Sequence, residues 1–286
     1  MGTQELAGTV CLVTGAGAGI GRATAAGLAE KGATVVAMVR DVPRGQKMVE
    51  EIRKASGNEK VELLECDLSS QQSVRDAAAK FKLRHPKLHV LIHQAGLAPP
   101  KHTLTPDGVE LTMAVNHHAA FLLTEQLRDV LVASAPSRVI VGTGGISNMG
   151  KIDFDDLDSK KAWKPFRVLA QSKLANVLFT AELARRLKGT GVTANLFDPM
   201  SAKTDFAKGS GGVMGAMMAL ARLFAPTPDK VAQDMVHLAT APALAGVTGR
   251  YFLKRKEQNL PKTGQDPEIA RRLWEVSERV TGTRAG

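Results

Sequence analysis

Val10-Cys11-Leu12-Val13-Thr14 runs straight into Gly15-Ala16-Gly17-Ala18-Gly19-Ile20-Gly21, and the fold is decided at that junction. Five residues without an apolar/polar alternation suit a central parallel strand buried on both faces. The stretch from Ile20 through Ala29 then reads as a helix. Glycines between a strand and a helix let the backbone approach a pyrophosphate closely. The anion then rests on the N–H groups and the positive dipole end of the helix. Strand, glycine loop and helix within the first thirty residues predict a dinucleotide site.

Outward from this unit the chain keeps alternating. Further strands are expected at 33–39, 61–66, 88–92, 138–141, 192–198 and 249–253. Helices are expected at 72–81, 108–132, 166–187, 228–239 and 267–280. The 166–187 helix contains no Gly or Pro and has apolar residues at Leu174, Val177, Leu178, Ala181 and Leu183. Alternating strands and helices predict the α/β class: a single-domain Rossmann fold over residues 1–286, a doubly wound seven-stranded parallel sheet with helices on both faces. Neither an internal repeat nor a composition break suggests a second domain.

Composition narrows the function classes. The chain has 286 residues, 44% of them hydrophobic, which is ample for one large core. Its net charge of +10 comes with only 4% aromatic residues and no nucleic-acid motif, so no nucleic-acid partner is expected. No run of about 18 uncharged apolar residues exists, and the first residues lack a basic segment followed by an apolar core. The expectation is a cytoplasmic protein with no integral membrane segment. Cys11 and Cys66 both sit in apolar runs and read as buried free thiols. The adjacent histidines His117 and His118 have no third ligand at a suitable spacing, so no metal is expected.

Thr14-Gly15-Ala16-Gly17-Ala18-Gly19-Ile20-Gly21 and Ser172-Lys173-Leu174-Ala175-Asn176 together resemble the short-chain dehydrogenases/reductases, the second motif pointing to their retinol-dehydrogenase-like branch. The likeness covers essentially the whole chain. It implies that Gly15, Gly19, Ile20 and Gly21 cradle the cofactor, that Asp67 and Leu68 contact its adenine, and that Ala95 and Gly96 lie against its ribose. It further implies that Lys173 reaches the nicotinamide ribose and that Thr204 holds the carboxamide. Arg40 ends the second strand where an acidic residue would select NAD, so Arg40, with Arg22 as a second candidate, favours NADP(H). Asp41 adjoins Arg40 and argues the other way. Residues 201–228 correspond to the family's substrate lid. Their Gly and Met content, with Met214, Met217 and Met218, suits an apolar small-molecule substrate. Family members commonly pair through the 108–132 and 166–187 helices, which implies a homodimer or homotetramer.

Against this likeness the catalytic positions depart. Four residues before the lysine the family carries its tyrosine acid; here stands Leu169. Gly144 stands for the carbonyl-orienting serine, with Thr143 and Ser147 the nearest hydroxyls. His93-Gln94 replaces a pair of asparagines, and Met200 follows Pro199 where the family has glycine. The chain's single tyrosine, Tyr251, belongs to the seventh strand, which the family topology places away from the acid's position. Asn116 and Lys173 are retained, with His93 and His117 as replacement acid/base candidates. Three readings stay open: a reductase with a different proton source, a non-redox cyclase, isomerase or lyase, and a cofactor-binding protein without turnover.

Overall fold

The computed structural model describes residues 5–199 and 226–283. Residues 201–225 of the expected lid, Thr204 among them, and Met200 lie outside the described residues. Strand β1 (Val10–Thr14) leads into helix α1 (Gly19–Glu30), followed by β2 (Thr34–Val39), α2 (Val42–Ser56), β3 (Val61–Glu65), α3 (Gln71–Arg84) and β4 (Val90–His93). After a short helix α4 (Leu111–Met113) and a π-turn (Ala114–His118) come α5 (Ala119–Gln126), α6 (Arg128–Ala133) and β5 (Ser137–Gly142). The chain continues through α7 (Pro165–Arg186), β6 (Val192–Asp198), α8 (Pro228–Thr240), β7 (Tyr251–Leu253), β8 (Lys256–Gln258) and α9 (Pro267–Thr281).

The strands form one sheet in the order β3-β2-β1-β4-β5-β6-β7-β8. β1 to β7 are parallel, as expected, and β8 adds an antiparallel eighth strand at the edge. β8 is Lys-Glu-Gln, fully exposed, so no apolar pattern announces it. It is turned back by Lys254 and Arg255, both with positive φ, as a two-residue hairpin demands. Leu28, Ile52 and Met235 of α1, α2 and α8 pack on one face. Phe81, Phe121, Leu178 and Trp274 of α3, α5, α7 and α9 pack on the other. Burial on both faces explains why the central strands read as continuous apolar runs.

The helix expected over 108–132 is broken. Gly108 takes φ +76 in a turn before the helix, and Glu110 caps its start by accepting from the Met113 N–H at 2.9 Å. The π-turn then places Asn116 so that its side chain bonds the Leu97 backbone twice, at 2.8 and 3.1 Å. Such single π-turns are frequent at functional sites. α7 spans 22 residues, and Pro165 in its first turn suits a helix start. The face of α5 and α7 expected to pair two chains is covered by α9. Trp274 is only 2% exposed and packs on Phe121 and Phe179, with ring centroids 4.8 and 5.9 Å away.

Candidate active site

Strand order reverses at β1, which has β2 on one side and β4 on the other, and ligands of doubly wound sheets bind at the carboxyl ends of such strands. The backbone there leaves no room for side chains. A Cβ on Gly15 would stand 2.7 Å from the Ala95 Cα, and one on Gly21 would stand 2.3 Å from the Gly15 carbonyl oxygen. Thr14 locks the two strand ends together, its Oγ1 accepting from the Gln94 and Ala95 N–H groups at 3.1 and 3.2 Å. At the start of α1, Ala18 offers no side-chain cap and the first turn has no acidic residue. Uncapped N–H groups beside a glycine cradle fit a pyrophosphate.

The β2 end is exposed. Asp41 caps α2, its Oδ1 accepting from the Arg44 N–H at 3.0 Å, so this carboxylate serves the helix while Arg40 beside it is exposed. Arg22, also exposed, pairs with Glu51 at 3.0 Å. Asp67 turns one carboxylate oxygen onto Ser69, accepting from its N–H at 2.9 Å and its hydroxyl at 2.7 Å. Leu68 is half-buried against the core, and Ala95 and Gly96 are partly open beside the cradle.

Lys173 is half-buried on α7, one turn after the half-buried Leu169. Burial pushes the Lys173 ammonium down to about 8, while the nearby Asp198 charge pulls the other way. Asn116 donates to Ser172 Oγ at 3.0 Å, and Ser172 donates to the Leu169 carbonyl at 2.8 Å. The asparagine side chain thus clamps the loop after β4 to α7. Thr143, buried at the end of β5, donates its hydroxyl to the Lys173 carbonyl at 3.0 Å, so its proton is committed to the helix.

Two histidines expected as acid/base groups belong to the interior instead. The Thr124 hydroxyl donates to the Ala120 carbonyl, so His93 Nε2, 2.8 Å from Thr124 Oγ1, must be the donor there. His117 Nε2 meets Ser277 Oγ at 2.9 Å, and Ser277 in turn donates to the Leu273 carbonyl. Burial lowers His93 to about 3 and His117 well below 6.5, the latter helped by its neighbour His118. Both rings are bonded to interior hydroxyls, and burial disfavours their charged forms. Among the described residues no His, Cys, Asp or Glu group could hold a metal ion.

Sequence reasoning passed over Asp198 and set Tyr251 aside as remote from the acid's position. The Tyr251 hydroxyl donates to Asp198 Oδ2 at 2.5 Å, at the carboxyl end of β6. The signal was present in strand alternation: Leu196 pairs with Tyr251, and Asp198 shares its face two residues on.

The comparisons with known proteins agree with this geometry. The short chain dehydrogenase family pattern matches residues 9–212. Human retinol dehydrogenase 14 is 38% identical over 96% of this chain and 87% of its own length. Human retinol dehydrogenase 13 is 39% identical over 97% of this chain and 86% of its own. Among solved structures, an uncharacterized protein from Mycobacterium Paratuberculosis superposes with a TM-score of 0.78 at 29% identity, covering 97% of this chain and 95% of its own. A short chain dehydrogenase from Escherichia coli CFT073 complexed with NADPH gives 0.69 at 22% identity, over 88% and 99%, and shares the fold. The chain belongs to the short-chain dehydrogenase family of oxidoreductases, in its retinol-dehydrogenase-like branch.

Proposed function

We propose that the chain is an NADP(H)-dependent oxidoreductase acting on an apolar small molecule, with a catalytic centre that lacks the family's tyrosine and serine. The observation that carries this reading is the intact glycine cradle beside an exposed Arg40 whose acidic neighbour Asp41 is engaged as a helix cap. An arginine at this strand end can pair with a 2′-phosphate, whereas the carboxylate beside it has one oxygen engaged in capping α2. The relatives named retinol dehydrogenases support an apolar alcohol or aldehyde as the substrate class. The two buried cysteine thiols fit a reducing compartment, and we place the protein in the cytoplasm; no described helix is long and apolar enough to cross a membrane.

When bound, the nicotinamide supplies or accepts a hydride. This chain's own residues hold the cofactor, exclude water and manage one proton. Gly15, Gly19, Ile20, Gly21 and the start of α1 would hold the pyrophosphate, with Arg40 at the adenosine end. Leu169 offers the substrate an apolar surface and no proton. Lys173 lies one helical turn after the vacated acid position, and Asn116 fixes its helix against the cofactor loop.

Fluorescence titration of the purified chain with NADPH and NADH tests the cofactor half. A charge-assisted pair with the 2′-phosphate contributes roughly 1.5–3 kcal/mol, or about ten-fold or more in affinity. Arg40→Asp is expected to remove that preference. Equal affinities for both cofactors in the unsubstituted chain would overturn it. Consumption of NADPH with apolar aldehydes or ketones then tests the redox half.

A further inference from the structure

Asp198 closes β6 and is only 5% exposed. Its Oδ2 takes the Tyr251 hydroxyl from β7 at 2.5 Å. The same oxygen lies 3.8 Å from where a Cβ on Gly145 would stand, so the carboxylate adjoins the loop that follows β5. Lys173 is fastened to that loop's start through its carbonyl, which accepts from Thr143 at 3.0 Å, and its ammonium responds to the Asp198 charge. The ends of β5, β6 and β7 therefore meet the Lys173 turn of α7 at one loop, and Lys173 lies one helical turn from the position left without a tyrosine.

We propose that Lys173 Nζ is the proton donor of this site, and that Asp198, held by the Tyr251 hydroxyl, is the positioning residue that keeps it protonated. The proposal rests on the oxidoreductase reading above. In the reducing direction, a carbonyl carbon gains hydride from a reduced nicotinamide, which is oxidised. The carbonyl oxygen takes one proton as the Lys173 N–H bond breaks and an O–H bond forms. The neutral amine then regains a proton from water.

The balance of effects suits this role. Burial alone would drive a lysine toward its neutral form, and the carboxylate opposes that. At about 8 the ammonium is mostly charged at neutral pH, yet far more acidic than an ordinary lysine. Tyr251 cannot take over as the acid, because burial and the Asp198 carboxylate push its phenol well above the usual range. Its proton stays on the hydroxyl and orients the carboxylate. Asp198 is a charged group that acts on Lys173.

The first arm of the test uses the whole chain without cofactor or substrate. The rate of acylation of Lys173 by an amine-reactive ester is followed by peptide mass spectrometry from pH 5 to pH 10. Half-maximal reactivity is expected near pH 8 in the unsubstituted chain. Asp198→Asn is expected to move it down by about one unit, since an opposite charge nearby typically shifts a titration by one unit or more. Asp198→Glu should restore most of the shift. Tyr251→Phe, which keeps the charge, should broaden or displace the profile less than Asp198→Asn does. An Asp198→Asn profile that overlays the unsubstituted one overturns the proposal, and so does unchanged kcat in Asp198→Asn and Lys173→Ala at saturating NADPH. NADPH titration of the same proteins keeps the two readings apart. A chain that shows the lysine shift but binds no NADPH rejects the oxidoreductase reading, not the pairing of Lys173 with Asp198.

Discussion

At the scale of single residues the site is defined by two places where a functional group would fit and none is present. Gly144 has φ 170, ordinary extended backbone, and a Cβ there would meet only an Ile146 side-chain carbon at 3.9 Å. Serine is therefore sterically admissible. Leu169 is half-buried one helical turn before Lys173, which is the spacing that brings two side chains onto one face. Turnover of simple secondary alcohols and ketones is expected to be weak in the unsubstituted chain, because loss of a positioned acid typically costs about 10² to 10⁴ in rate. The double substitution Leu169→Tyr with Gly144→Ser is expected to raise it at least ten-fold, measured as NADPH consumption. Robust turnover of such substrates by the unsubstituted chain, comparable to an ordinary family member, would show that the proton economy inferred here is wrong.

At the scale of elements, the legibility of the sequence divides along a physical line. The strands buried on both faces were readable, because β1 and β2 are nearly uninterrupted apolar runs, and the glycine loop followed from close approach alone. β8 was not readable, since three exposed polar residues carry no period, and the 108–132 helix hid its break because a π-turn keeps an apolar helix apolar. Side-chain direction was the harder matter. His93 and His117 stand next to the crevice in sequence but turn inward to Thr124 and Ser277, while Asp198 turns toward the site. This placement has a consequence for acid stability. His93, His117 and His118 titrate below 6.5 in the fold, His118 at about 4 through burial, so the unfolded chain binds protons more tightly than the folded one. Their contribution is complete above pH 6.5 and is lost as pH falls from there toward 4. At pH 5 the loss is at most about 2 kcal/mol for each. Glu125, raised by burial, opposes this as it takes up a proton. Urea denaturation is expected to show a lower midpoint at pH 5 than at pH 7. Equal midpoints would mean that the three rings are solvated.

At the scale of the whole molecule, α9 decides which surfaces remain for assembly. Pairing through α5 and α7 needs their apolar side chains at the surface, but Phe121 and Phe179 are 0% and 2% exposed beneath Trp274. Further contacts fix the lid formed by this helix. The Arg186 guanidinium of α7 stacks 4.3 Å from the indole centroid, and the His117 ring donates to Ser277. Displacing α9 to admit a second chain would break all of these and expose the aromatic cluster, so the chain is expected not to pair through this face. A homodimer or homotetramer is expected to form through other surfaces, and light scattering gives its mass against the 30.4 kDa of one copy. Trp274→Ala removes the keystone of the cluster, and truncation of a buried aromatic side chain typically costs about 3–5 kcal/mol. That variant is expected to unfold at lower urea and to self-associate, because it uncovers Phe121 and Phe179. Hydrogen exchange separates the alternatives. A stable dimer of the unsubstituted chain in which the α9 amides exchange freely would show that α9 leaves its seat and that the covered face is an interface after all. A dimer with α9 fully protected would place the contact elsewhere on the surface and leave the aromatic cluster as the closed end of a single subunit.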